Sequence, residues 1–230
     1  MKPYTILIPA YNAAATLPEL LTRLKKVTPP PRQIVIIDDG SSDESAAIAE
    51  NVGAEVIRLS RNHGKGYALR KGFHFLAKQG FAGYIICLDA DLQHLPEYIP
   101  DFLTTAEREN LAFVIGARRR NPGQMPLHRI LSNTLTSRII SRLAGQKIAD
   151  SQCGFRLIDS QLAAGIELSE DGFQMESEMI IKAGRQGVRI GSVAIPVIYN
   201  QQGSHIGNMR DTLKFIRLVF KQLWKYDRSV

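Results

Sequence analysis

The chain has 230 residues, 44% of them hydrophobic, with 29 Lys and Arg against 22 Asp and Glu, giving a formal net charge of +7 and a pI near 9.5. That length fits one α/β domain with a sizeable core, and two cysteines, Cys87 and Cys153, are too few for a disulfide framework. No run approaches the ~18–20 uninterrupted apolar residues of a bilayer span, and residues 1–5 carry no apolar signal-peptide core, so a reduced, cytosolic setting is expected.

Strands and helices alternate along the first half. Tyr4–Pro9 is a predicted strand, and Ala13–Lys26 a predicted helix with Leu17, Leu20, Leu21 and Leu24 on one face. Pro29-Pro30-Pro31 breaks the chain. Predicted strands follow at Gln33–Ile37, Ala54–Leu59, Gly83–Leu88 and Ala112–Ala117, separated by predicted helices at Asp43–Asn51, Gly66–Lys78 and Pro96–Glu109. This order implies a mainly parallel, doubly wound (Rossmann-like) sheet with helices on both faces. Beyond Arg120 the pattern loosens into helices, among them Pro126–Leu143, and one late strand at Val188–Tyr199. A single domain over 1–230 is expected, with 1–120 as its ligand-binding half and 121–208 capping the active face. A basic amphipathic helix, 209–230, ends the chain.

The strand ends carry the chemistry. Asp89-Ala90-Asp91-Leu92-Gln93-His94 follows the apolar strand Tyr84–Leu88. Open α/β sheets bind ligands at the carboxyl ends of their strands. Residues two apart on an extended chain face one side, so Asp89 and Asp91 can converge on one hard cation, which prefers oxygen ligands and often bridges to substrate phosphates. A capping turn is the plain alternative. The strand ending in Asp38-Asp39-Gly40-Ser41-Ser42-Asp43 places two adjacent acids where ribose or base hydroxyls are bound in dinucleotide folds, while Ser41, Ser42 and Asp43 suit local caps. Asn62-His63-Gly64-Lys65-Gly66 lets backbone approach a diphosphate, with a glycine turn that starts a helix and leaves Lys65 solvated as the equal alternative; it is not a Walker A loop. The basic surplus suits a phosphorylated ligand or an anionic surface. Without an RNA-binding motif, zinc-ligand spacing or helix-turn-helix, no nucleic-acid partner is expected.

Together with Ile8-Pro9-Ala10-Tyr11-Asn12, these segments occur in the order and spacing of family 2 glycosyltransferases with the GT-A fold, which the chain resembles over nearly its whole length. Cys153-Gly154-Phe155-Arg156 and Gln174-Met175-Glu176-Ser177-Glu178-Met179 resemble the branch of polyprenyl-phosphate glycosyltransferases that includes dolichol-phosphate mannose synthases. The resemblance implies that Pro9, Tyr11 and Asp38 or Asp39 line the base and ribose pocket of a GDP- or UDP-sugar donor. It puts Lys65, Asp89, Ala90 and Gln93 beside the donor. Asp91 and Gln93 hold Mg²⁺ or Mn²⁺ against the diphosphate, and Arg156 and Glu176 shape the sugar pocket. The resemblance also implies that Arg118 faces the donor or acceptor phosphate, and that Arg129, Ser132 and His205 meet the acceptor phosphate. Asp89, Asp91, Arg118 and Glu176 form the expected catalytic set. Two positions depart from the family pattern: Ala13 stands where Glu is usual, and His205 where a Lys is usual.

The implied reaction is inverting displacement at the anomeric carbon, moving mannose or glucose to a polyprenyl phosphate. A phosphate acceptor is already anionic at neutral pH and needs little general-base help. A glycan or soluble hydroxyl acceptor would need a base, with Glu176 or Glu178 as candidate; for Glu178, a helix-start acid beside the dipole is the favoured reading. A non-catalytic nucleotide-sugar-binding protein is the alternative from another class. Arg210, Lys214, Arg217, Lys221 and Lys225 recur at helical spacing beside Leu213, Ile216, Val219, Phe220, Leu223 and Trp224. Such a helix suits peripheral binding to the cytoplasmic face of a membrane, with or without a membrane-anchoring subunit; docking on the sheet is the plain alternative.

Overall fold

The computed structural model describes residues 1–119, 127–198 and 214–222, the side chains of 127–129 excepted. Seven strands, β1 (Tyr4–Ala10), β2 (Ile34–Asp38), β3 (Glu55–Arg58), β4 (Tyr84–Cys87), β5 (Phe113–Arg118), β6 (Arg156–Asp159) and β7 (Ile190–Ile195), form one sheet in the order β3-β2-β1-β4-β6-β5-β7. All neighbours run parallel except at β6, which is antiparallel to both β4 and β5. The mainly parallel α/β architecture expected of the sequence is therefore present. The second half does more than cap it, since β6 enters between β4 and β5 and β7 extends the far edge.

Helices cover both faces because strand side chains alternate between them. Ile6 and Ile8 of β1 point to one layer, with Leu17, Leu20, Leu21 and Leu24 of α1 (Leu17–Leu24). The short α2 (Ser45–Asn51) follows β2. Ile99, Phe102, Leu103 and Ala106 of α4 (Ile99–Arg108) complete the first layer. Their spacing of three and four residues is what a helix needs to present one apolar stripe. Leu7 points the opposite way, into a layer with Leu69, Phe73 and Leu76 of α3 (Lys65–Lys78), Ile140 and Ala144 of α5 (Leu127–Ala144), and Met179 and Ile180 of α7 (Gln174–Arg185). A short α6 (Ser160–Gly165) follows β6, with Asp159 capping the Gln161 N–H. Residues 214–222 form a last helical segment, held by Arg185, which donates to the Gln222 side chain and carbonyl.

Where α5 crosses α7 a side chain cannot fit. A Cβ built at Gly184 would press on the Ala144 carbonyl and lie 2.8 Å from its Cβ. Alanine would favour the helix by about 1 kcal/mol, but forcing the crossing apart costs about 1–3 kcal/mol. Gly184→Ala is expected to lower the stability measured by urea denaturation. A gain in stability would mean that the crossing is looser than described.

Candidate active site at the carboxyl edge of the sheet

The chain leaves β1 for β2 and β3 on one side and reaches β4 on the other, so the crevice between β1 and β4 is a topological switch point. The loops after β1, β2, β4 and β5 open on that edge and carry most of the residues singled out from sequence.

At its centre is a half-buried cation, its side chain 13% exposed. Lys65, the first residue of α3, places Nζ 2.5 Å from Asp89 Oδ1 and 2.7 Å from Glu176 Oε1. Gly154 permits this packing, because a Cβ there would lie 2.7 Å from both Asp89 Oδ2 and Lys65 Nζ. Gly64 and Gly66 seat the start of α3 directly on the backbone of residues 170–172, and the Tyr67 N–H donates to the Asp171 carbonyl at 3.1 Å. Burial opposes charge on Asp89, but Lys65 overrides it and holds the carboxyl below the usual carboxylate range. Lys65 likewise stays firmly protonated against burial because of Asp89 and Glu176.

The turn after β4 is closed on itself. The Asp89 N–H donates to His94 Nδ1 at 3.1 Å, and the Gln93 N–H donates to Asp91 Oδ1 at 3.0 Å. Leu92 sits at φ 62°, a region a branched side chain seldom occupies and which is held only when its surroundings over-determine it. Burial lowers the His94 pKa. Asp91 differs from Asp89: burial and the neighbouring Asp89 charge raise its pKa. A divalent cation would relieve that charge, with Asp91 and the Gln93 amide as oxygen donors. Among the described residues no three His, Cys, Asp or Glu side chains gather as a metal cage. A donor set this small suits a Mg²⁺- or Mn²⁺-like ion that takes its other ligands from phosphate and water.

The loops on the β1 and β2 side are pinned together. The Asp39 N–H donates to the Ala10 carbonyl at 2.8 Å, the Asn12 N–H to Ser41 Oγ at 2.9 Å, and the Ser42 N–H to Asn12 Oδ1 at 2.9 Å. Asp39 is buried and accepts the N–H groups of His63 and Gly64 at 2.9 and 2.7 Å. It thus fixes the glycine loop that delivers Lys65. Asp38 is buried too and accepts the Ser41 N–H at 3.0 Å. Pro9 and Ala10 end β1, and Tyr11 beyond them is 51% exposed.

On the β5 side, Arg118 pairs side-on with Asp150, Nε to Oδ2 at 2.6 Å and Nη2 to Oδ1 at 3.0 Å. Arg156 is buried and donates to the carbonyls of Ser151, Cys153 and Glu176, so its guanidinium ties the 151–153 turn to α7 directly behind the Lys65–Glu176 contact. Glu178, in the second turn of α7, does more than sit beside the helix dipole. It is fully buried, accepts the N–H groups of Ser169 and Glu170 and pairs with Lys182. Ser132 is exposed on α5, Arg129 lies in the first turn of that helix without a described side chain, and His205 lies outside the described residues.

Residues 5–164 match the family described as glycosyl transferase family 2. The chain belongs to that family. It is a glycosyltransferase with the GT-A fold. It is 34% identical over 182 residues to undecaprenyl-phosphate 4-deoxy-4-formamido-L-arabinose transferase of Pseudomonas fluorescens, covering 71% of this chain and 51% of that one. The chain thus spans about half of that relative's length. It is 25% identical to glycosyltransferase AglJ of Haloferax volcanii, over 96% of this chain and 70% of the relative. Its fold superposes with a TM-score of 0.70 on glucosyl-3-phosphoglycerate synthase of Mycobacterium tuberculosis, solved with Mn²⁺, UDP and glucosyl-3-phosphoglycerate, at 18% identity over 97% of this chain and 79% of that one.

Two parts of the glycosyltransferase site escaped sequence reading. Asp150 lies three residues before the Cys153-Gly154-Phe155-Arg156 motif, and its carboxylate in the polar stretch Asp150-Ser151-Gln152 was the available signal. The role of His94 was hidden because accepting a backbone N–H five residues earlier leaves no pattern in sequence.

The ion triad yields a pH-dependent expectation. Removing one partner of a buried pair strands the other charges, at a cost of about 3 kcal/mol. Lys65→Met is therefore expected to destabilise the protein by that order at pH 7, read by denaturant unfolding. Asp89 has a depressed pKa in the folded protein, so its contribution is full above ~4 and fades as pH falls through the folded value. In the variant, Asp89 would lose the charge that holds its carboxyl low and would take up a proton more readily. The gap between the two proteins is expected to narrow toward pH ~4; a gap constant with pH would remove Lys65 from its place as the neutralising charge.

Proposed function

We propose that this glycosyltransferase moves a sugar, mannose or glucose by resemblance, with inversion, from a GDP- or UDP-sugar to a polyprenyl phosphate at the cytoplasmic face of a membrane, using Mg²⁺ or Mn²⁺. The observation that carries the acceptor class is the state of the two candidate bases. Glu176 is held by Lys65 at 2.7 Å, and Glu178 clamps residues 169–170. A hydroxyl acceptor needs a base with an available lone pair near the reacting atom. An ionised phosphate brings its own nucleophile, and the nearby cations Lys65 and Arg118 suit two phosphorylated substrates. The undecaprenyl phosphate in the name of the Pseudomonas relative and the Mn²⁺ and UDP of the solved mycobacterial structure agree with this reading.

In this mechanism the loops after β1 and β2 receive the nucleoside, with Tyr11, Pro9 and the buried Asp38 and Asp39 shaping that end. Asp91 and Gln93 would hold the metal, which when bound would supply neutralising charge for the departing diphosphate. Lys65 keeps Asp89 ionised and oriented toward the donor. Arg118 holds the acceptor phosphate, with Arg129, Ser132 and His205 as further acceptor-side residues. The surface supports a lipid substrate. Leu131 and Leu135, one turn apart on α5, are 70% and 61% exposed, and Phe220 is 68% exposed. Arg138 and Arg142 lie exposed farther along α5, as do Lys214 and Arg217 beside Ile216. The segment 214–222 docks through buried Leu218 and Gln222 while keeping Ile216 and Phe220 outward. Exposed apolar groups on helices that also expose basic ones suit an anionic interface. Among the described residues no helix is long and apolar enough to cross a membrane.

Asp91→Ala is expected to lower sugar transfer to farnesyl phosphate by about 10²–10³-fold or more, with an unchanged circular dichroism spectrum. EDTA should act likewise and Mn²⁺ reverse it. Full transfer by the variant or by chelated protein, measured over a panel of UDP- and GDP-sugars, would remove the metal role. Lys214→Glu with Arg217→Glu is expected to abolish sedimentation with phosphatidylglycerol vesicles, since each basic residue near such a surface adds ~1 kcal/mol. Lys221 is left intact there because it pairs with Glu170 at 3.1 Å. Unchanged sedimentation would limit that helix to its docking role.

A further inference from the structure

Arg118 and Asp150 are unequally exposed. The Arg118 side chain ends β5 at 23% exposure, and Asp150 lies behind it at 1%. The carboxylate grips the Nε and Nη2 edge of the guanidinium at 2.6 and 3.0 Å, and also faces the Arg118 N–H at 3.4 Å. This side-on grip uses the edge nearest the chain and leaves Nη1, with its two N–H groups, outside the pair. The carboxylate is itself anchored. Its Oδ1 accepts the Gln152 N–H at 3.1 Å, and the Ser151 N–H donates to Ser137 Oγ of α5 at 3.2 Å. The same turn continues into the carbonyls of Ser151 and Cys153 that hold Arg156 behind Glu176.

We infer that Asp150 is a positioning residue for the acceptor: it fixes the Arg118 guanidinium edge-on from behind, so that Nη1 is presented at the carboxyl edge of the sheet to the phosphate monoester of the acceptor. The inference rests on the phosphate role of Arg118 given above. An unsupported arginine at this strand end would sample several rotamers and would have to be ordered by each incoming phosphate. A carboxylate behind it reduces the net positive charge at the site, so its benefit is orientation and not attraction. Preorganised contacts bind more tightly because the ordering cost is met before the ligand arrives. Burial tends to discharge the guanidinium, and Asp150 holds it charged. The turn that carries Asp150 also packs on α5, which connects acceptor-phosphate geometry to the helix bearing the exposed Leu131 and Leu135.

A double-mutant cycle on binding tests this without a donor or turnover. The probe is farnesyl phosphate, titrated calorimetrically into the full chain and into Arg118→Met, Asp150→Asn and the double variant. Arg118→Met is expected to weaken binding about tenfold or more, the scale of one charge-assisted hydrogen bond. Asp150→Asn should lose a similar factor, and the double variant should lose no more than Arg118→Met alone, because both changes remove one interaction. Wild-type affinity in Arg118→Met would overturn the phosphate role of Arg118, and the inference with it. A weakened Arg118→Met beside an unaffected Asp150→Asn, or losses that multiply, would overturn the positioning role alone. If Asp150→Asn does not fold, Asp150→Glu decides: it keeps the charge but shifts the guanidinium, and is expected to weaken farnesyl phosphate binding while unfolding as wild type. Wild-type affinity in that variant would also overturn the inference.

Discussion

The carboxyl edge of this sheet depends on one half-buried cation. Lys65 joins the start of α3, the end of β4 and the start of α7 through two carboxylates. Without it, Asp89 and Glu176 would face each other in a poorly hydrated crevice, where like charges cannot both remain ionised cheaply. The surrounding backbone is shaped to admit this contact. Gly154 lets the Asp89–Lys65 pair approach, Gly64 and Gly66 let α3 begin against the 170–172 backbone, and Asp39 holds the loop that precedes the lysine. Residues separated by more than a hundred positions in sequence are therefore one electrostatic unit.

That unit divides the acids into two roles. Asp89 is ionised and satisfied by protein. Asp91, two residues on, carries charge that burial and its neighbour disfavour. The left-handed Leu92 and the His94 contact that closes the 89–94 turn belong to the same arrangement.

On the β5 side the pattern repeats with the signs reversed. There a buried carboxylate, Asp150, stands behind a partly exposed guanidinium, and its turn is stitched to α5 and to Arg156. The two charged centres are linked: Arg156 bonds the Glu176 carbonyl and the turn beside Asp150, and Arg118 senses the Glu176 charge. The two centres thus share one scaffold formed by β6 and the start of α7.

The alternating strands and helices, the apolar stripes of α1 and α4, the acidic strand ends and the family were legible in the amino-acid sequence, because each is a local pattern whose spacing matches a helix, a strand or a turn. Elements whose identity depends on partners were not. β6 is four residues long and follows directly on Cys153-Gly154-Phe155; only insertion between β4 and β5, antiparallel to both, makes it a strand. Lys65 reads equally well as a solvated lysine or a phosphate ligand, and the fold decides that it is held between Asp89 and Glu176. Asp39 reads as a ribose ligand and Glu178 as a helix-start acid, and the fold shows both accepting backbone N–H groups from neighbouring loops. Short-range periodicity determines which segments form and which edge carries the polar loops. Long-range electrostatics and packing determine which charges neutralise one another, and no one-dimensional pattern encodes a contact between residues 65, 89 and 176.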